Sequence, residues 1–203
     1  MFFITNYFII FIEIKINKTK NMIKVLFLHG MGGTGISSHH VHEFFRKFEI
    51  ELISPTVNYQ LYINNPHIFN TLKELGDEAD MIVGNSMGGY FSYHLSKACG
   101  KPSLNFNPAI SEVTTSYNWF NQVTDYELHE DQKKKLIYMS TKDYVVDHKE
   151  GLNFLKNENL ETNVVERLVG ETHSLSFPLM LQKIVKFKQE VFREDNDEEF
   201  ELI

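Results

Sequence analysis

The chain has 203 residues, of which 42% are hydrophobic and 23% are charged, as in an ordinary globular domain with a core of its own. The formal net charge is −7, and residues 193–203, with six acids and one arginine, contribute a net −5 of it. The remaining body carries −2. It therefore lacks the basic face that binding to a nucleic-acid backbone requires, and nucleic acid is excluded as an expected partner.

Residues 1–21 form an apolar stretch with neither the positive start nor the small-residue cleavage site of a secretory signal. Its longest run without charge, 1–12, is too short to cross a bilayer as a helix, so no stable membrane insertion is expected. Two interpretations stay open: an additional strand, or upstream sequence ahead of a start at Met22, which we favour. The predicted organisation is an extension over 1–21, one domain over 22–192, and an acidic, disordered tail over 193–203.

Short apolar runs alternate with longer amphipathic stretches from residue 24 onward. The runs predict strands that are buried on both faces, at 24–28, 50–53, 79–83, 103–106, 136–139 and 163–168. The stretches between them predict helices, at about 37–47, 67–76, 87–98, 148–157 and 177–192. This alternation is typical of right-handed βαβ crossovers. It predicts an α/β fold in a single domain, with a mostly parallel, doubly wound sheet, helices on both faces and no separate cap domain.

A glycine-rich turn, His29-Gly30-Met31-Gly32-Gly33, ends the first predicted strand. Such a turn lets backbone N–H groups converge beside a nucleophile, so the N–H of Met31 is a candidate oxyanion donor. Gly30 and Gly32 are then candidate substrate-binding positions. We interpret His29, at the strand end, as a structural residue that hydrogen-bonds the loop.

The same turn also fits a dinucleotide fingerprint, because Gly30, Gly32 and Gly35 have G-x-G-x-x-G spacing after a strand. A Rossmann-type oxidoreductase is therefore an alternative function. It would need an acidic residue at the end of the second strand to bind the ribose. Glu51 lies near the start of that strand instead, and a lone fingerprint has a high false-positive rate.

Potential metal ligands cluster at the start of the helix predicted over 37–47, namely His39, His40, His42 and Glu43. Helical spacing of three and four residues brings some of these side chains onto one face, which raises the hypothesis of a metal site. No distant further ligand is evident in the sequence. We interpret the cluster as solvated surface side chains and predict neither a metal nor a cofactor.

The most informative segment is Gly84-Asn85-Ser86-Met87-Gly88, which follows an apolar strand and precedes a helix. This G-x-S-x-G pattern in a strand–turn–helix context is typical of a nucleophile elbow. The serine of an elbow has a strained backbone, and the flanking glycines let strand and helix pass closely. The pattern predicts Ser86 as the nucleophile and the N–H of Met87, at the helix N-terminus, as an oxyanion donor.

Residues 107–134 interrupt the alternation with polar, aromatic and irregular sequence. A long connection at the carboxyl end of a parallel strand frequently forms a wall of a ligand pocket. Tyr117, Trp119 and Phe120 are therefore candidate substrate-binding residues. The same three side chains could equally be core residues that cover the sheet.

Two later loops carry an acid and a base. Asp143 follows the strand predicted at 136–139, where a carboxylate can accept a hydrogen bond from a histidine. Asp147 looks more like the N-cap of the next helix. His173 lies between the last strand and the last helix, where it can take a proton from Ser86. The chain order Ser86, Asp143, His173 is that of α/β-hydrolases.

These motifs resemble the α/β-hydrolase superfamily and, more narrowly, the small YqiA/YcfP-like bacterial esterases, over roughly residues 22–192. The resemblance is carried by His29-Gly30, the elbow with Gly89-Tyr90, residues 105–109, Lys142-Asp143 and Thr172-His173. It implies hydrolysis of carboxylic esters or thioesters. From the triad residues we expect this reaction to proceed through an acyl-enzyme at Ser86, on a small-molecule substrate and without a cofactor.

A non-catalytic binding protein built on the same fold is a further alternative, because a fold by itself does not prove chemistry. The presence of all three triad residue types argues against it.

The chain has one cysteine, Cys99, so no intramolecular disulfide can form. This cysteine usage suits a reducing compartment, and we expect a cytoplasmic protein.

Overall fold

The computed structural model describes residues 22–63, 67–110, 123, 126–158 and 161–192. The predicted extension and tail lie outside the described residues, as do the candidate pocket residues Tyr117, Trp119 and Phe120.

The described residues form six strands and five α-helices, which alternate except that the fifth strand follows the fourth, with one short 3₁₀ turn between the second strand and the second helix. Their bounds are β1 Ile23–Leu28, α1 His39–Arg46, β2 Ile50–Ile53, the 3₁₀ turn Tyr59–Ile63, α2 His67–Glu78, β3 Met81–Asn85, α3 Met87–Cys99, β4 Ser103–Phe106, β5 Lys135–Ser140, α4 His148–Glu158, β6 Asn163–Leu168 and α5 Phe177–Val191.

The strands form one sheet in the order β2-β1-β3-β4-β5-β6, and every neighbouring pair is parallel. The predicted fold class is therefore confirmed, with a described sheet that is wholly rather than mostly parallel. The strand order changes direction between β1 and β3. Parallel strands bring their carboxyl ends to one edge, so the loops after β1, β3, β5 and β6 meet beside this switch point.

Apolar side chains form one core cluster on each face of the sheet. Consecutive residues of β1 point to opposite faces, so Leu26 belongs to one cluster and Val25 to the other. The first cluster packs against α2, α3 and α4, and the second against α1 and α5. Helices therefore cover both faces of the sheet, and its carboxyl edge carries the candidate site.

The third strand begins two residues later than predicted, at Met81 instead of residue 79. The N–H of Ala79 donates to carbonyls in the last turn of α2, and the N–H of Asp80 donates to Lys24 O. Asp80 also accepts a hydrogen bond from the N–H of Lys24 through its carboxylate. These bonds form the turn that leads from α2 into the sheet. Because Ala79 is buried in this turn, hydrophobicity alone does not distinguish it from a strand residue.

Cys99 is buried at the end of α3. A Cβ built on Gly76 would lie 2.9 Å from its Sγ, so α2 and α3 approach closely at this point. Burial, followed by the Asp77 side chain, raises the pKa of the Cys99 thiol to about 12.

None of the helices within the described ranges has the length and apolar character needed to cross a membrane.

Candidate active site

Ser86 lies in the tight turn between β3 and α3, with φ 55° and ψ −118°. Residues that carry a side chain rarely adopt this conformation. The N–H of Ser86 donates to Phe106 O at 2.9 Å, and the Ser86 carbonyl accepts from Tyr90 and Ala109, each at 3.0 Å. The turn is thus tied both to α3 and to the segment after β4, which holds the strained residue in place.

Glycine is required two residues before and two residues after Ser86. A Cβ on Gly84 would lie 2.1 Å from Gly88 O, and a Cβ on Gly88 would lie 2.2 Å from Leu28 O. Both contacts are with backbone atoms, which cannot move aside as a flexible side chain would. The spacing of the G-x-S-x-G pattern follows from this crowding between β1, β3 and α3.

His173 and Asp143 form a continuous hydrogen-bonded chain with Ser86. Nε2 of His173 lies 3.0 Å from Ser86 Oγ, and Nδ1 lies 2.8 Å from Asp143 Oδ2. Because the carboxylate can only accept, Nδ1 must carry the proton in the neutral ring, which leaves Nε2 to accept from the serine hydroxyl. The arrangement matches that of a Ser-His-Asp triad.

The Asp143 side chain has no solvent exposure. Its Oδ1 accepts from the N–H groups of Val145 and Val146, at 2.8 and 3.0 Å. Burial acts to raise the pKa of this carboxyl, but the hydrogen bonds from His173, Val146 and Val145 outweigh it, so the pKa lies below the ordinary value. Asp143 is therefore ionised at neutral pH and can stabilise an imidazolium.

Asp147 has a different position from Asp143. Its Oδ1 accepts from the N–H of Lys149 at 2.8 Å, in the first turn of α4. This bond satisfies one of the unpaired N–H groups that begin a helix, as the sequence predicted for an N-cap. Of the two candidate acids, it is Asp143 that lies against His173.

A second histidine also lies against the Asp143 carboxylate. Nε2 of His148, the first residue of α4, is 3.2 Å from Asp143 Oδ2. His148 was not among the residues predicted for the site. The short loop from Asp143 to the start of α4 is the signal that could have identified it, because so short a connection keeps the two side chains close.

Asn107 belongs to the segment 105–109 that carries the family resemblance, but no role in the site was predicted for it. Its Oδ1 accepts from Ser140 N, and its Nδ2 lies within hydrogen-bond distance of Ser140 Oγ, Thr172 O and His173 O. The side chain is fully buried. A polar residue immediately after a buried strand, at the carboxyl edge of a parallel sheet, is the signal in the sequence.

The turn after β1 lies directly against the nucleophile. A Cβ on Gly30 would be 3.3 Å from Ser86 Cβ. Met31 follows Gly30, and Met87 follows Ser86 as the first residue of α3. The two candidate oxyanion donors are therefore adjacent in sequence to residues that contact each other.

His29 stabilises this turn. Its Nδ1 is 2.6 Å from Gly30 O, and its Nε2 accepts from the N–H of Val57 at 2.8 Å. Tyr59 Oη donates to His29 O at 2.8 Å. His29 thus connects the turn to the loop after β2, which is the structural role predicted for it.

A cavity of about 340 Å³ lies between these two loops. The described residues that line it include Met31 and Gly32 from the first loop, and Thr56, Asn58 and Gln60 from the second. Gly32 therefore lies on a concave surface next to a candidate oxyanion donor, and its part in substrate binding stays a prediction.

The glycines of the dinucleotide fingerprint have another use in this fold. A Cβ on Gly35 would lie 2.1 Å from Ser54 O, so Gly35 permits contact with the segment after β2. The next helix begins at His39, whereas the fingerprint needs its third glycine for packing between helix and strand. Glu51 is the second residue of β2, in register with Lys24 of β1, and therefore does not end the strand. This geometry does not favour a dinucleotide site.

The histidine cluster of α1 makes local contacts. Nε2 of His42 is 2.8 Å from Ile36 O, Nε2 of His39 is 3.7 Å from Glu43, and Glu43 also pairs with Arg46 at 2.6 Å. Within the described ranges, no three His, Cys, Asp or Glu side chains are arranged to hold a metal ion.

The parallel sheet, the strained serine turn and the His173–Asp143 contact together define a protein with the α/β-hydrolase fold. The chain belongs to the uncharacterised protein family UPF0227, whose sequence profile matches residues 24–126. No curated protein is significantly similar to it in sequence.

Solved structures of esterases and other hydrolases have similar folds at low sequence identity. Esterase PE8 has a TM-score of 0.57 at 15% identity, over 84% of this chain and 93% of its own. SOBER1 of Arabidopsis thaliana has a TM-score of 0.56 at 16% identity, over 83% of this chain and 98% of its own. FphF of Staphylococcus aureus, a fluorophosphonate-binding serine hydrolase, has a TM-score of 0.56 at 13% identity, over 90% and 88%. The resemblance to α/β-hydrolases that the motifs predicted is confirmed.

Proposed function

We propose that the protein is a serine hydrolase that cleaves carboxylic esters or thioesters of small molecules through an acyl-enzyme. The observation that carries the proposal is the contact chain from Ser86 Oγ through His173 to a buried Asp143 carboxylate. In this series of contacts, the Oγ of the serine in the strained turn is directed at a histidine base. The acid holds that base in one tautomer.

The first half-reaction forms the acyl-enzyme. Ser86 Oγ bonds to the acyl carbon while its proton passes to His173 Nε2. The negative charge that develops on the carbonyl oxygen is stabilised by the N–H groups of Met31 and Met87. The bond from the acyl carbon to the leaving oxygen or sulfur then breaks, and His173 gives its proton to that atom, which departs as an alcohol or a thiol.

The second half-reaction releases the acid. A water molecule gives one proton to His173 while its oxygen bonds to the acyl carbon. The bond to Ser86 Oγ breaks, the carboxylic acid leaves, and Ser86 regains its proton from His173. Asp143 stays ionised throughout and stabilises the imidazolium that forms in each half-reaction.

The substrate proposed is a short or medium acyl ester, with thioesters as the next class. A cavity of about 340 Å³ beside the candidate oxyanion donor Met31 offers space for part of a small molecule. Esterase PE8 and the serine hydrolase FphF, whose folds this chain shares, add support to ester cleavage as the reaction. The single buried thiol suits the reducing cytoplasm, which we propose as the location.

Labelling with a fluorophosphonate tests the proposal, because this reagent reacts with an activated serine and FphF is a fluorophosphonate-binding protein. We expect the purified wild type to be labelled, and Ser86→Ala and His173→Ala to remain unlabelled while folded. Ser174→Ala is the matched control, since it removes an exposed hydroxyl beside His173 and should label as the wild type does.

Hydrolysis of p-nitrophenyl esters of increasing chain length gives the second readout. Ser86→Ala should lower the rate by on the order of 10⁴-fold or more. Two results would overturn the proposal: a well-folded wild type that neither labels nor hydrolyses any ester, or labelling that persists in Ser86→Ala.

A further inference from the structure

We propose that Asn107 is a positioning residue that holds His173 in line with Ser86. This inference rests on the proposed function, because it concerns how the base of that site is oriented. Asn107 is the first residue after β4 and its side chain is fully buried at the carboxyl edge of the sheet. It is not in contact with the reacting atoms and acts through the backbone of another loop.

The Asn107 amide connects two elements that meet at the site. Its Oδ1 accepts from Ser140 N at 2.8 Å, and its Nδ2 is 3.0 Å from Ser140 Oγ, which fixes the side chain to the end of β5. The same Nδ2 donates to Thr172 O at 3.3 Å and to His173 O at 3.1 Å. These two carbonyls belong to the peptide planes on either side of the His173 Cα, so one amide restrains both planes and with them the direction of the imidazole.

Asn107 is itself held in one conformation. Its N–H donates to Tyr138 O at 2.8 Å, which continues the sheet bonding past the end of β4. Its φ is 42°, a left-handed value that asparagine tolerates better than most residues with a side chain. Such a value persists where the surrounding contacts over-determine it, so the amide is a rigid support for the loop.

Among the described residues, the other backbone hydrogen bonds that tie the His173 loop to the end of β5 lie on the amino-terminal side of the loop. The N–H of Thr141 donates to Leu168 O, and the N–H of Lys142 donates to Glu171 O. After Glu171, the described hydrogen bonds that reach the backbone of Thr172 and His173 from outside their loop both come from Asn107. Loss of these two bonds should therefore loosen the base while the preceding turn stays in place.

Asn105 provides a matched control. It lies in β4, two residues before Asn107, and is equally buried. Its amide forms a network with Ser92, Ser103 and Leu136 O. None of these partners belongs to the site. Asn105→Asp would therefore introduce the same buried carboxylate at a similar cost in stability, without any change at the His173 loop.

Asn107→Asp is the most informative variant, because it can keep the contacts with Ser140 while it loses those with Thr172 O and His173 O. One carboxylate oxygen can still accept from Ser140 N, and the other can accept from the Ser140 hydroxyl. The second oxygen would, however, face the carbonyls of Thr172 and His173, which repel it. We expect kcat for ester hydrolysis to fall by about 10- to 100-fold, with KM within about twofold, as expected for a misplaced base. Asn105→Asp should keep kcat within about twofold.

A spectroscopic signal of the base completes the experiment. In proton NMR, the Nδ1–H of His173 that is bonded to Asp143 should give a downfield resonance in the wild type and in Asn105→Asp. This resonance should broaden or shift in Asn107→Asp. If Asn107→Asp does not fold, Asn107→Gly replaces it, because glycine accepts a φ of 42° and removes the amide altogether.

Two outcomes would overturn the inference: kcat within twofold of wild type in folded Asn107 variants, or equal losses of kcat in the Asn107 and Asn105 variants. A wild type with no labelling and no hydrolysis would reject the proposed function instead. The resonance of His173 would in that case still decide whether Asn107 orients the ring.

Discussion

Ser86 combines φ 55° with a position between two glycines that are each pressed against backbone atoms. A residue in such a conformation costs about 1–3 kcal/mol, which the surrounding structure must offset. Here the three backbone hydrogen bonds of Ser86 provide part of that stabilisation. The conformation brings Oγ to within 3.0 Å of His173 Nε2, which is the contact on which the proposed function depends.

The two aspartates after β5 give a prediction at the scale of single residues. Asp143→Asn should lower kcat/KM by about 10⁴-fold, because an amide in place of the carboxylate favours the wrong tautomer of His173. Asp147→Asn should change kcat/KM by less than about twofold, since asparagine is also a good N-cap. The measurement is steady-state hydrolysis of a p-nitrophenyl ester. A reversed ranking would transfer the role of the acid to Asp147.

Much of the candidate site could be anticipated at this scale, because each candidate residue lies next to a strand end that the apolar pattern marks. Ser86, Asp143 and His173 follow predicted strands, and parallel strands bring such loops together. No role in the site was predicted for Asn107 or His148, for a physical reason. Their contacts depend on where a side-chain atom lies relative to another loop, and neither periodicity nor chain order carries that information.

At the scale of elements, the crossing of β1, β3 and α3 allows no atom beyond hydrogen at Gly88. Gly88→Ala would place a methyl group 2.2 Å from Leu28 O, a backbone atom of the central sheet. We therefore expect this variant to be unfolded or to lose several kcal/mol of stability, on the order of the largest single-residue effects. Unfolding in urea, followed by circular dichroism, is the measurement.

Gly151→Ala is the control for this substitution. Gly151 lies inside α4, and a Cβ there would meet its nearest neighbours at 3.8 and 4.0 Å, an ordinary contact distance. Alanine is the better helix former by about 1 kcal/mol, so the control should be neutral or stabilising. Equal destabilisation by both variants would contradict the role assigned to the crossing.

Helix α3 also carries a buried histidine that should make the fold sensitive to acid. His94 packs against Tyr90, and its Nδ1 is 2.8 Å from Tyr126 Oη. Burial, with a smaller effect of Lys97, lowers the pKa of His94 to about 3 from 6.5. As pH falls below 6.5 the unfolded chain binds a proton that the folded protein does not bind. Stability should therefore fall by up to about 1.4 kcal/mol per pH unit, down to about pH 3.

His94→Gln tests this acid sensitivity, because the amide can still bond Tyr126 but does not titrate. The free energy of unfolding of wild type and variant should be measured in urea between about pH 7 and pH 4. We expect the difference between the two to change in favour of the variant as pH falls. Parallel pH dependences would show that His94 is protonated in the folded protein as readily as in the unfolded chain.

Element boundaries were predictable wherever an apolar run coincides with a buried strand. The strands at Ile50–Ile53, Ser103–Phe106 and Asn163–Leu168 have the predicted bounds. The predicted start of β3 at residue 79 was wrong, because Ala79 is buried in the turn that ends α2 and not in the strand. The 3₁₀ turn Tyr59–Ile63 was not predicted, since a single short turn leaves little periodicity in the sequence.

At the scale of the whole molecule, both core clusters and all described elements lie within residues 22–192. Hydrogen bonds close both ends of this range: Ile23 N–H donates to Glu49 O, and Phe192 N–H donates to Lys188 O. We predict that a chain of residues 22–192 folds, with a free energy of unfolding within about 1 kcal/mol of the full chain, and is labelled at Ser86 at the same rate.

A chain of residues 22–176 is the control for this truncation. It removes α5 and thereby Leu181, Ile184 and Phe187, which belong to the second core cluster. Each buried side chain of this size contributes about 1.5–3 kcal/mol, so the control should not fold. Loss of folding or labelling in residues 22–192 would instead show that the excluded segments stabilise the domain.

The buried Cys99 has a practical consequence for chemistry at the candidate nucleophile. It is the one cysteine of the chain, and burial holds the pKa of its thiol at about 12. Alkylating reagents act on the thiolate, so they should leave the native protein unmodified at neutral pH. In Ser86→Cys the sulfur would lie beside a histidine base and be the one reactive thiol. Reporter groups, spin labels or crosslinkers could then be attached at that single position without mutation of any other cysteine.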